Sequence, residues 1–150
     1  MRYLIANNKF YFVLFCLVFS LSVSSKEPSK LESAKVHIDK YGVGSFLKMW
    51  STASAELMPL KLDSQVEMLR VFSTSKMIHS DIRLYKLKKS DIIDLDGMEK
   101  AYTESNANHW CNDILIGYLM REYGVSYKNV VHSMDYEFLF SSKINKYFCN

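Results

Sequence analysis

Cysteine, proline, glycine and histidine are all scarce in this chain. Its 150 residues include 3 Cys, 2 Pro, 5 Gly and 4 His. No internal repeat and no low-complexity tract occurs, so collagen-like, solenoid and linker-like architectures are excluded. No C-x₂-C pair is present, and His37, His79 and His132 are scattered, so the paired ligands of a structural zinc site are missing. The glycines at 42 and 44 form Gly-Val-Gly-Ser, without the third glycine of a dinucleotide fingerprint or the Gly-Lys-Ser/Thr of a phosphate loop. No G-x-S-x-G nucleophile elbow exists. Asp91, Asp94 and Asp96 precede Gly97 as acids do in a calcium loop. With Gly97 at the sixth position, however, Ile92 and Thr103 fall at the first and twelfth, and the carboxylates required there are absent. The chain therefore carries no recognisable set of catalytic, cofactor-binding or metal-binding residues, and it leans away from an enzyme.

What is present begins at the N-terminus. Arg2 and Lys9 precede an apolar run over residues 10–23, and Val23-Ser24-Ser25 is followed by charge and Pro28. Those three parts spell a secretory signal peptide, with cleavage placed after Ser25. The rival reading anchors the chain in the inner membrane through residues 3–23. A span needs ~20 apolar residues, and this one would have to hold Asn7, Asn8 and Lys9 inside. A lipoprotein site at Cys16 is disfavoured by bulky Phe15 just before it. The expected organisation is a signal peptide over residues 1–25 and a single small domain over 26–150. The mature protein is periplasmic or secreted, with no membrane span left after cleavage.

Removing the leader changes the electrostatics. Arg2 and Lys9 leave and no acid does, so the formal charge falls from +3 to +1. A near-neutral chain of mixed charge has no electrostatic footprint for nucleic acid.

The leader also takes Cys16, leaving Cys111 and Cys149. Two cysteines in an oxidising compartment most simply pair. The competing readings are a metal ligand, a free or intermolecular thiol, or a nucleophile served by His109. On a helix, residues two apart point about 200° from each other, which places His109 badly as a base for Cys111.

Along the mature chain, Leu31, Ala34, Ile38 and Tyr41 recur at helical spacing, and so do Phe46, Trp50, Ala53 and Leu57. Gly42 and Gly44 lie between them. One kinked helix or two short ones are expected over residues 30–57, with Ser45 as the cap of the second. Pro59 closes this region. Val66, Met68, Arg70 and Phe72 alternate with Glu67, Leu69 and Val71, as a strand does. Residues 73–76 form a polar turn. Ile78, Ser80, Ile82 and Leu84 then alternate with His79, Asp81, Arg83 and Tyr85, a strand with a polar outer face. Helical spacing returns over residues 97–122, with Asp96 and Glu99 as a capping box, an interruption at 106–108, and Gly124 as the stop. Strands follow at 125–130 and 136–141 around a turn at 133–135. Helices, a hairpin, a helical region and a second hairpin define an α+β domain: an antiparallel sheet with helices on one face.

Leu57, Pro59 and Asp63, then Cys111, then YGVSYKNV at 123–130, then Cys149, resemble the pattern of a group of small exported bacterial proteins of uncharacterised function. The resemblance covers residues 56–149. Met58 is inserted between the Leu and the Pro, Val66 stands where the group tends to have Thr, and the tyrosine-rich second strand keeps only Tyr85. The resemblance implies export, the same α+β order and the bridge between the two cysteines, and it brings no catalytic residues.

Three functional readings follow. The first is a non-enzymatic protein that binds another protein of the cell envelope, such as an assembly helper or a periplasmic inhibitor or immunity protein. Its interface would draw on Trp50, Trp110, Tyr136 and Phe138, residues that equally suit a core. The second is a hydrolase built on Asp63, His79 and Asp81. The third is a binder of a small ligand or lipid in a groove between helix and sheet.

Overall fold

The computed structural model describes residues 29–149. The leader assigned to residues 1–25, and with it the anchor reading of residues 3–23, lies outside the described residues.

The first helical region is a kinked pair. Helix α1 (Lys30–Tyr41) starts from a capping box: the Ser29 hydroxyl accepts from the Glu32 N–H at 3.2 Å, and the Glu32 carboxylate accepts from the Ser29 N–H at 3.2 Å. Gly42 ends it at φ 84°, a conformation that costs glycine little. Because Gly42 turns the chain there, helix α2 (Val43–Ala55) begins one residue later. Ser45 is therefore inside α2 and not its cap. Its hydroxyl instead meets His37 Nε2 across the kink at 3.4 Å.

The strands are β1 (Leu60–Lys61), β2 (Val66–Ser73), β3 (Met77–Leu84), β4 (Ser126–His132) and β5 (Phe138–Ile144). They form one sheet in the order β1-β2-β3-β4-β5. Every neighbouring pair is antiparallel except β3 and β4, which run parallel with Met77 opposite Ser126 and Arg83 opposite His132. The two expected hairpins are present. They join through a parallel seam because the helical connection between them returns the chain to the end of the sheet where β3 began.

That connection is two helices, α3 (Leu95–Asn112) and α4 (Ile114–Tyr123). Asp94, not Asp96, caps α3, accepting from the Gly97 N–H at 2.8 Å. A Cβ at Gly97 would run into that carboxylate. Residues 106–108 do not interrupt the helix. Asn106 is buried within it and donates to the Tyr102 carbonyl at 2.9 Å. The break falls at Asp113, whose Oδ1 accepts from the N–H groups of Leu115 and Ile116 at 2.9 and 2.7 Å. Gly124, at φ 65°, ends α4.

The helices pack on one face of the sheet, α2 against β2 and α3 against β5, with α1 bridging α2 and α4. Leu47, Ile78, Ile116, Leu119, Met120, Tyr127, Val131 and Ile144 are buried between the layers. In β2 a bulge between Met68 and Arg70 interrupts the simple alternation. It keeps Met68 and Val71 on the inner face and sends Arg70 and Phe72 outward. Cys111 in the last turn of α3 is bonded to Cys149, with Cα atoms 5.0 Å apart.

Candidate docking face

The sheet face away from the helices is paved in three rows that cross β2, β3, β4 and β5. The register sets each row.

The row farthest from the β2–β3 turn holds Glu67, Arg83, His132 and Phe138. Glu67 and Arg83 form an ion pair at 2.5 Å with both side chains largely buried. The Arg83 guanidinium lies between the rings of Tyr85 and Tyr136, at 4.6 and 4.5 Å from their centroids. Tyr85 donates its hydroxyl proton to Glu67 at 2.6 Å, and Arg83 donates to the Tyr136 hydroxyl oxygen. Burial, and then the bond to Glu67, push the Tyr85 hydroxyl above its ordinary pKa. Arg83 Nε is buried without a partner among the described residues. Tyr136 itself sits at φ 62° in the turn after β4. A bulky residue there carries backbone strain of about 1–3 kcal/mol, which the stack on Arg83 helps to offset.

The middle row is Arg70, Asp81, Val130 and Ser141. Arg70 and Asp81 form an ion pair with a hydrogen bond.

The row nearest the β2–β3 turn is Phe72, His79, Lys128 and Lys143. The Phe72 and His79 rings stack at 4.6 Å and 3°. Burial first, then the charges of Lys128 and Lys143, depress the imidazole's proton affinity, and Asp81 opposes them. Neither lysine has a carboxylate within salt-bridge distance among the described residues. Aromatic carbon is exposed across the face: Phe72 at 43%, Tyr136 at 58% and Phe138 at 53%.

His79 and Asp81 share the outer face. Asp63 is apart from them: its Oδ1 accepts from the Gln65 and Val66 N–H groups at 2.5 and 2.7 Å, shaping the turn into β2. Val66 lies opposite Leu84, while His79 is toward the other end of β3, a separation of roughly 17 Å along the strand. The three do not converge, and Asp81 is already held by Arg70. Cys111 is in the disulfide, so it offers no thiolate to His109. His109 is half-buried beside Trp110, and that burial lowers its proton affinity against the pull of Asp113. Trp110 stacks on buried Tyr127 at 4.6 Å, and Trp50 packs partly buried against the core. Tyr136 and Phe138 are the exposed members of the four aromatics.

Among the described residues, no group of three or more His, Cys, Asp or Glu side chains is arranged to hold a metal ion. None of the described helices is long and apolar enough to cross a membrane. A shallow, open depression of about 400 Å³ lies beside α3, lined by Asp96, Glu99, Lys100, Thr103, Glu104 and Phe148. It lies between α3 and the C-terminal turn that carries Phe148, not between helix and sheet.

Glu67, Phe72, Lys128 and Lys143 were not singled out from the sequence. The alternation of Lys128 and Lys143 with buried Tyr127, Asn129, Ser142 and Ile144 was the signal that could have found the lysines.

No protein-family model matches the chain, and no curated protein matches it. Its fold does match solved structures. One is the type 2 secretion system pilotin EpsS of Vibrio vulnificus, at TM-score 0.57 and 9% identity, covering 72% of this chain and 92% of that one. Another is the type II secretion system pilotin AspS of Vibrio cholerae, at TM-score 0.55 and 13% identity, covering 77% and 99%. A candidate secreted protein of Pseudomonas aeruginosa matches at TM-score 0.58 and 7% identity, covering 73% and 95%. The chain thus has the α+β fold that these pilotins share.

Proposed function

We propose that this chain is an exported accessory protein of the cell envelope that acts by binding another protein, as an assembly helper of a secretion machine does, and not by catalysis. The observation that carries the reading is the fold likeness to two secretion-system pilotins over nearly their whole lengths. The sheet face that the described helices leave uncovered supports it. That face is a rigid strand scaffold that presents the rings of Phe72, Tyr136 and Phe138 and the guanidinium of Arg70, residue types enriched at protein interfaces. Asp63, His79 and Asp81, the residues suspected of hydrolysis, are spread over separate local roles, which supports binding over chemistry. The leader read from the sequence at residues 1–25 supports a mature protein in the periplasm or outside the cell.

The test is photo-crosslinking of the mature, oxidised protein in its own cell envelope from probes placed on the open sheet face. A single stoichiometric partner is expected. Recovery of no partner from any probe position would sink the reading. Mass analysis of the native protein checks the compartment: a chain starting after Ser25 is expected, and a retained leader would favour the anchored form.

A further inference from the structure

We infer that Lys128 and Lys143, flanked by the Phe72–His79 stack, form a docking strip for an acidic, aromatic-bearing segment of the partner protein. The inference rests on the protein-binding reading above and names the chemistry of the partner.

This row differs from the other two in its charge pairing. In the other two rows the β2 and β3 charges pair, Glu67 with Arg83 and Asp81 with Arg70, and Lys61 of β1 stands opposite Glu67 with its ammonium over the Tyr85 ring. The row nearest the β2–β3 turn has no such pair among the described residues. Lys128 and Lys143 are direct cross-strand neighbours on one face, and His79 is the next neighbour of Lys128. Like charges directly opposite each other on a sheet are destabilising. Folding alone gives no return for this pair, whereas a carboxylate laid between the two ammonium groups would relieve it. Phe72 exposes 43% of its surface at the end of the same row and supplies the apolar contact. The row spans roughly 14 Å, three inter-strand spacings, so one short segment crossing the strands reaches all four side chains.

The competing anionic partner is a membrane surface. Lipid-directed basic patches gather about 4–8 Lys or Arg, and among the described residues the lysines of this sheet face without an ion pair are three, Lys61, Lys128 and Lys143, with Lys61 two rows away from the other two. The geometry therefore favours a polypeptide.

The experiment titrates the mature, oxidised protein with a short peptide alternating Glu and Phe, read by amide and His79 ring NMR signals. Phosphatidylglycerol vesicles and a Lys/Phe peptide are titrated in parallel. The strip is supported by salt-sensitive shifts centred on Phe72, His79, Lys128 and Lys143, a rise in the His79 pKa, and about tenfold weaker binding of a folded Lys128→Glu/Lys143→Glu variant. Shifts centred elsewhere, equal binding by that variant, or equal response to the Lys/Phe peptide would overturn it. Vesicles that move the same signals where the Glu/Phe peptide does not would assign the strip to lipid and also overturn it. In the envelope crosslinking, a partner captured equally by the charge-reversed variant overturns the strip while leaving the protein-binding reading intact.

Discussion

Replacing both bridge cysteines, Cys111→Ser with Cys149→Ser, opens a loop that spans a sequence separation of 38. The consequence is calculable because the bond acts chiefly on the unfolded chain. In the loop-closure model the cross-link removes about 13 cal/mol/K of denatured-state entropy, which is about 3.9 kcal/mol at 25 °C. Against a typical stability of ~5–15 kcal/mol, that is enough to leave a weak domain partly unfolded. The Tm is expected to drop by roughly 12–20 °C. The assay is urea unfolding of the mature protein followed by tryptophan fluorescence, since Trp110 is next to Cys111 and packs on Tyr127. Two outcomes are expected together: a lower midpoint, and a steeper m-value because the uncrosslinked chain exposes more surface when unfolded. Hydrogen exchange adds a local readout. The Phe148 amide, bonded to the Asn145 carbonyl at 3.0 Å, should lose protection. A loss below about 1 kcal/mol with an unchanged m-value would refute the reasoning. It would mean that buried Ile144 and the Asn145-capped turn hold the C-terminal segment without the bond.

Gly117→Ala places a Cβ 2.6 Å from the Cys111 carbonyl oxygen, at the corner where α3 meets α4. The Cys111 backbone cannot swing aside as a side chain could, and a loss of about 1–3 kcal/mol in urea unfolding is expected. Asp113→Ala strips the cap from two N–H groups of α4 and should cost about 1–2 kcal/mol, with Asp113→Asn recovering most of it. His79 and His109 both titrate below their ordinary value of 6.5 in the folded protein. The unfolded chain therefore takes up protons first as pH falls. Their contribution to stability is complete above pH 6.5 and is lost as pH drops through the folded pKa values. Urea midpoints should decline as the pH falls below about 6.5, and His79→Gln should shallow that decline; an unchanged slope in both His79→Gln and His109→Gln would contradict it. Glu67→Ala strands Arg83 between two rings without its carboxylate, so the urea midpoint falls, and Glu67→Ala with Arg83→Met should recover part of the loss.

Much of the fold is written in local pattern. Ile78, Ser80 and Ile82 alternate with His79, Asp81 and Arg83, and β3 follows that period. Gly42 and Gly124 mark helix ends because each takes a positive φ. Other features depend on competition that local pattern does not resolve. Asp94 and Asp96 both suit a helix cap, and Asp94 takes the place because Gly97, three residues on, leaves room for its carboxylate. The bulge at Leu69 is hidden in a stretch that is apolar on both faces, so either phase of the alternation reads equally well. Three asparagine-rich positions, 106–108, look like a break, yet Asn106 satisfies its amide on the Tyr102 carbonyl and stays helical. The candidate site was visible only as a polar strand face. The rows that give it meaning cross four strands, and that register is set by long-range pairing. The lysine pair in particular exists only because β4 and β5 align Lys128 with Lys143.

The parallel seam between β3 and β4 divides the molecule in a way the sheet's continuity conceals. On one side, β1, β2 and β3 pair with strands nearby in sequence; on the other, β4 pairs with β5 in the same local fashion. The single distant strand pairing is the one that zips these halves together. Cutting the backbone near solvent-exposed Ile93 leaves each fragment with its own sheet portion, so any reassembly has to remake both the β3–β4 seam and the packing of α1 on α4.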